Sequence, residues 1–292
     1  MKNDKRISAI NAILLAAVSA VSIAAIAVPS VRAATMLPAD QCDAEAGSEH
    51  DLQRNMAFKP VATEELRIGI ALSACREAVN QGAGPRQQFQ LARVLHAAGE
   101  RGKALAMLKT SAEAGHAIAM VNYAVMLGEK GDRDAEFALY SKAAASGNIL
   151  AAYNLGVAYR DGVGTPVNGA LAAEWFARAS VARDNLGAYN LAVMLDEGTL
   201  LPEDNARAAE FYRIAAGRGN VDAMVNLGLM LQSGEGMPAD DAAAKAMFAR
   251  AAAKGDAFAQ SKITPEVIDN AEDAAPITNE QASLVIKSGR IK

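Results

Sequence analysis

Few residues of this chain have the types and spacing that chemistry needs, and the most suggestive are Asp161-Gly162-Val163-Gly164-Thr165, followed by Pro166. The backbone N–H groups of such a loop can cradle a phosphate. A phosphate loop is ordinarily a single feature between a strand and a helix, with a Lys and a Ser or Thr after its last Gly. Here the leading glycine recurs as Gly162, Gly198 and Gly234, and no Lys stands in the required place. Punctuation between helices accounts for the pattern with fewer assumptions: Gly162 as a left-handed residue after a helix, Pro166 barring its continuation.

The other reactive side chains are as sparse. His50, His96 and His116 show no H-x-x-x-H spacing. His116 holds the place that Asn148, Asp184, Asn220 and Asp256 hold further along, which reads as a polar turn or helix N-cap. Cys42 and Cys75 are the two cysteines, and no CxxC joins them. In an exported chain an even number of cysteines favours a disulfide, here tying an irregular stretch from Ala34 to Pro60 onto the first mature helix. Such a closure stabilises by roughly 3 kcal/mol in the chain-entropy model. A zinc or redox role is the alternative. No catalytic residue, cofactor or metal is expected, and the chain reads as non-enzymatic.

Export itself is read from the first 33 residues. Lys2, Lys5 and Arg6 precede an uncharged run from Ile7 to Val31, and Val31-Arg32-Ala33 offers small residues before a cut ahead of Ala34. That order of parts is a secretory signal peptide. An uncleaved anchor is the runner-up, because the run is long enough to span a bilayer. Cleavage would remove four of the 29 cations and one of the 33 acids, leaving 25 against 32, a balance of −7. A chain of that charge, without a basic run, is a poor partner for nucleic acid or anionic membrane. A periplasmic location follows, with secretion as an alternative.

The elements that position these residues emerge from self-comparison. Leu155-Gly156, Leu191-Ala192 and Leu227-Gly228 recur every 36 residues, as do Pro166, Pro202 and Pro238. Trp175-Phe176, Phe211-Tyr212 and Met247-Phe248 form a second series in step with the first. Upstream the unit shortens to 32, with Tyr123-Ala124 and Leu91-Ala92 in the Leu-Gly place. Five units result, from about Arg86 to Asp256, each reading as two helices, A and B. Gly115, Gly147, Gly219 and Gly255 follow helix B, with Arg183 as the exception in that series. Abundant alanine and scarce aromatics suit close packing between helices better than a β-sandwich.

The stretch AAYNLGVAYRDGVGTPVNGALAAEWFARAS, residues 151–180, resembles the SEL-one-like repeat, a relative of the tetratricopeptide repeat. The segment bearing CDAEAG and LSACREAVNQG is similar to the cysteine-containing lead-in of exported bacterial repeat proteins. The resemblance implies an all-α, right-handed α-solenoid that binds proteins, in bacteria often an envelope regulator, adaptor or host-interaction factor. Some cysteine-rich members are linked to cell-wall or penicillin binding, but they carry a Cys pair within each repeat, and this chain does not. The expected organisation is a signal peptide at 1–33 and a lead-in at 34–85. The repeat domain follows at 86–262, then a cap or flexible tail at 263–292. The expected function is that of a scaffold or adaptor for a protein or peptide partner in the cell envelope. A cell-wall binding protein or enzyme, or a secreted host-interaction factor, is the alternative.

One polar series could face that partner. Gln90, Asn122, Asn154, Asn190 and Asn226 each stand just before the Leu-Gly place. In related helical repeats helix A lines the concave surface, where an amide can hydrogen-bond an extended peptide. The competing reading has each amide bond the backbone of the neighbouring repeat and hold the stack in register.

Overall fold

Polar caps and left-handed glycines cut this alanine-rich chain into helices of uniform length. The computed structural model describes residues 36–182 and 184–263. The expected signal peptide, Arg183 and the tail beyond Ile263 lie outside the described residues. α1 is Pro38–Ala46, and a 3₁₀ turn covers Thr63–Glu65. Eleven helices of 13 residues follow: α2 Ile68–Asn80, α3 Pro85–Ala97, α4 Arg101–Glu113, α5 Ala117–Glu129, α6 Arg133–Ala145, α7 Ile149–Asp161, α8 Gly169–Val181, α9 Asn185–Glu197, α10 Asn205–Gly217, α11 Val221–Ser233 and α12 Asp241–Ala253. A short α13, Ala257–Ser261, restarts the pattern of a helix A. No strand occurs among the described residues.

From α6 onward each helix begins at an Asp or Asn whose side chain accepts a first-turn N–H. Asn148 accepts from Ala151 at 2.9 Å and Asn220 from Ala223 at 2.7 Å, and Asn168, Asp204 and Asp240 do the same for helices B. Each such cap removes one orphan donor and contributes about 1 kcal/mol. Helix A ends at Gly162, Gly198 and Gly234, with φ of 74°, 61° and 77°, a region where a side chain is strained. The chain then folds back: the N–H groups of Asn168, Asp204 and Asp240 donate to the carbonyls of Tyr159, Leu195 and Leu231, each at 2.8 Å. The glycine loop is thus the turn of a helical hairpin.

α3 to α12 form five hairpins, each packed on the next. A lone hairpin leaves one face bare, so stacking is what builds the core. The rings of Phe176 and Phe248 on helices B lie fully buried against the backbone of helices A. They fit because Gly156 and Gly228 carry no side chain; a Cβ at either would sit 2.7 Å from the ring. Ala124 and Ala192 hold the same place in the units whose helix B carries Tyr140 and Tyr212. Helices A of neighbouring hairpins also touch directly, as α7 and α9 do. The architecture is an α-solenoid in which helices A form one row, named the inner row, and helices B the other.

The lead-in is more ordered than its composition suggests. Cys42 lies in α1, not in an irregular stretch, and α1 with α2 makes a further hairpin ahead of the five. The Cys42–Cys75 disulfide joins the two helices, both cysteines being fully buried. The irregular part is the strap between them, residues 47–67.

Candidate functional site

The candidate site is the inner row, and its first unit is already covered by the chain itself. Arg93 on α3 stands where Val125, Val157, Val193 and Leu229 stand in later units. Its guanidinium donates to the carbonyls of Ala46 at 2.7 Å and Val61 at 3.1 Å, gathering both ends of the strap. Burial lowers the Arg93 pKa, opposed by Asp51, Glu49 and Glu64. The middle of the strap reaches the second unit, where Gln53 Oε1 accepts the Ala117 N–H at 2.8 Å. His116 sits at the N-cap position of α5, as its place in the repeat implies, but its side chain caps nothing. It is buried instead, with Nε2 3.3 Å from Asp51 Oδ2 and its ring 5.2 Å from that of Phe89. Gln53 serves the helix end in its stead, from 64 residues away.

The five amides fall on one face, and those whose bonds are defined reach back to the preceding hairpin. Gln90 is fully buried and donates to Asp43 Oδ1 on α1 at 2.8 Å. Asp43 also takes two bonds from Arg86, at 2.9 and 2.8 Å, so this buried carboxylate is satisfied on both oxygens. Asn190 donates to the Leu186 carbonyl of its own helix at 2.9 Å and accepts from Arg160 on α7. The Asn190 amide also opposes the rise in the Tyr153 pKa, and the Asn226 amide does the same for Tyr189 and Tyr212. The bonds of Gln90 to Asp43 and of Asn190 to Arg160 go to side chains of the preceding hairpin, not to its backbone. Asn154 is buried, while Asn122 and Asn226 are half-buried at the surface of the row.

Around the amides the row is apolar in the middle and acidic at one edge. Val125, Val157 and Val193 are partly exposed, and Leu229 is 38% exposed. Burial, helped by Asp184 and Asp222 respectively, raises the pKa of Tyr153 and Tyr189, so both hydroxyls stay protonated. Tyr212 donates to Asp196 Oδ2 at 2.9 Å. Glu129, Asp161 and Glu197 are the last residues of α5, α7 and α9. No motif in the sequence singles out this edge. The available signal was the carboxylates' spacing, 32 and then 36 residues, the same as that of the repeat. No group of three or more His, Cys, Asp or Glu able to hold a metal ion occurs among the described residues.

Asp184, the cap of α9, gives a test of the electrostatics. Burial raises its pKa, outweighing the bonds from Gly187 and Leu186 and the charge of Arg218. A carboxylate that holds its proton more tightly when folded costs stability once ionised, as pH rises above the ordinary Asp range. Asn caps the equivalent α7 and α11. Asp184→Asn is therefore expected to raise the urea midpoint at pH 7, with the gain vanishing near pH 3 where Asp184 is protonated in both states.

A stack of capped helical hairpins of this kind defines the class of α-solenoid repeat proteins. The Sel1 repeat family model matches residues 117–148, 149–180, 186–220 and 221–256, so the chain contains four repeats of the kind found in Sel1-repeat proteins. Such proteins are generally scaffolds for protein interaction. A protective antigen present in uropathogenic Escherichia coli strains, displaying an SLR fold, aligns with a TM-score of 0.64 and 23% identity, over 76% of this chain and 49% of its own. A Sel1 repeat protein from Oxalobacter formigenes aligns with a TM-score of 0.59 and 25% identity, over 67% of this chain and 59% of its own. The chain thus spans about half of the first relative and three-fifths of the second. None of the curated proteins is similar enough to count as a match. No helix among the described residues is long and apolar enough to cross a membrane.

Proposed function

We propose that the protein is a non-enzymatic scaffold of the cell envelope whose inner row of helices A binds a segment of a partner protein. One observation carries the reading: a partly exposed apolar line, Val125, Val157, Val193 and Leu229, runs beside the amide series across four consecutive units. An extended segment can place side chains on the former and backbone groups against the latter. The Cys42–Cys75 bridge is compatible with an oxidising compartment. Periplasmic location is tested by fusing alkaline phosphatase after residue 60, since that enzyme needs disulfides to work.

Photo-crosslinking residues placed at Val157 and Val193 are expected to give discrete protein adducts in intact cells. The same residue at Glu174 or Lys245, exposed on helices B, should give none. Adducts from the helix B positions alone would overturn the reading. Val157→Asp combined with Val193→Asp should weaken partner capture about tenfold or more, the loss expected when the centre of an interface is made charged.

A further inference from the structure

We infer that the C-terminal end of the solenoid is closed by the chain itself: the segment 280–288 seats on α12 and α13 in the place of a sixth helix B. This closure is independent of what binds the inner row. The end it covers is open on one side. α5, α7, α9 and α11 are each packed between two helices B, whereas among the described residues α13 packs closely on α12 alone. The consequence shows in two side chains. Phe258 is 45% exposed, although Ile118 in the same place of unit 2 is buried and Leu150 and Leu186 are half-buried; unit 5 has an exposed Asp222 there. The Phe258 ring meets that of Phe248 at 6.3 Å, and Lys262 Nζ stands 5.1 Å from its centre without covering it. Ile263 is half-buried, whereas its counterparts Leu155, Leu191 and Leu227 are buried.

The repeat itself names the occupant. A sixth unit begins in step: Asp256, 36 residues after Asn220, accepts the Ala259 N–H at 2.7 Å and starts α13 as Asn220 starts α11. Ala259 and Ile263 stand 36 residues after Ala223 and Leu227. α13 covers five residues where α11 covers 13. Thr264-Pro265 follows it, and a residue before proline disfavours the helical region. The same step of 36 carries Phe248 to Leu284, and Ala251-Ala252 to Lys287-Ser288.

Those residue types are what a last helix B needs. Phe176, Tyr212 and Phe248, in the place of Leu284, are fully buried, and the rings of Phe176 and Phe248 lie against helix A of their own hairpin. Leu284 brings an apolar side chain to that contact. The small pair faces the other way: a Cβ on Gly187 of the next helix A would fall 2.8 Å from the Ala179 Cβ and 3.0 Å from the Ser180 nitrogen. Lys287 and Ser288 put a charge and a hydroxyl where a further hairpin would have to pack. A stack ends stably where its outer face is polar. An end left apolar is a head-to-tail surface for a second copy.

The test places a photo-crosslinking phenylalanine derivative at Phe258 of the purified full-length chain. Illumination is expected to join position 258 to residues 280–288 of the same chain, as mapped by mass spectrometry of the digest. Leu284→Asp should lower that yield at least about tenfold, since a carboxylate would have to be buried in the seat. It should also speed amide exchange over residues 241–261. Lys287→Gln, on the outer side, should change neither. Should Leu284→Asp fail to fold, the parent's map judges the seat by itself. Adducts joining two chains, growing with protein concentration, would make a second copy the occupant and overturn the closure. A map in which position 258 meets no residue of 280–288 would overturn it too, as would a yield that a folded Leu284→Asp leaves unchanged.

Discussion

Replacing Cys42 and Cys75 together by alanine is expected to lower the stability of the full-length chain by roughly 3–4 kcal/mol, as measured by urea unfolding. The bridge closes a separation of 33 residues, and the entropy of that closure in the unfolded chain is of this size. Both cysteines are wholly buried between α1 and α2, so deleting the sulfurs also leaves unfilled space. The loss should be local. In a stack each hairpin is held chiefly by its neighbours, so the first hairpin can open while later ones persist. Amide exchange should accelerate over residues 38–67 and remain unchanged over 149–253. Arg93 would then lose the carbonyls of Ala46 and Val61, and the inner face of the first unit would be uncovered. A variant that unfolds within about 0.5 kcal/mol of the parent would mean that the Asp43 bonds from Arg86 and Gln90 hold α1 in place by themselves.

The parts of this structure legible in the sequence are those set by contacts within one unit or repeated between units. The Leu-Gly and aromatic series gave five hairpins because Gly156 and Phe176 touch across one hairpin, and the same touch recurs at Gly228 and Phe248. α1 was read as irregular because its nine residues show no clear apolar period; Pro38 at its first turn was the start signal that could have marked it. The strap was illegible for a different reason. Gln53 meets Ala117 from 64 residues away, and no local pattern encodes that meeting. The amide series shows the same limit. Periodicity placed Asn190 and Asn226 on one face, but it did not show that Asn190 takes a bond from Arg160 of the unit before.

The spacing between units depends on a backbone contact where one of two facing residues must lack a side chain, and Gly169→Ala is expected to cost roughly 2–3 kcal/mol there. The third residue of each long loop lies against the first residue of the preceding helix B. A Cβ on Gly164 would fall 2.2 Å from the Arg133 carbonyl oxygen, and one on Gly236 2.3 Å from that of Asn205. At the middle junction the loop residue is Leu200, and the glycine has moved to the helix: a Cβ on Gly169 would fall 2.2 Å from the Leu200 oxygen. The pairs are thus Gly164 with Arg133, Leu200 with Gly169, and Gly236 with Asn205. If the contact is what matters, Leu200→Gly should restore part of the loss caused by Gly169→Ala, because the double variant recreates the arrangement at the other two junctions. A coupling of about 1 kcal/mol or more in a double-mutant cycle would show it. Gly102→Ala in α4, with nothing within 4 Å of its new Cβ, is the control and should cost nothing. Should Gly169→Ala behave like that control, the helices would be free to settle closer or further apart. The regular spacing of the valines and carboxylates along the inner row would then need another cause.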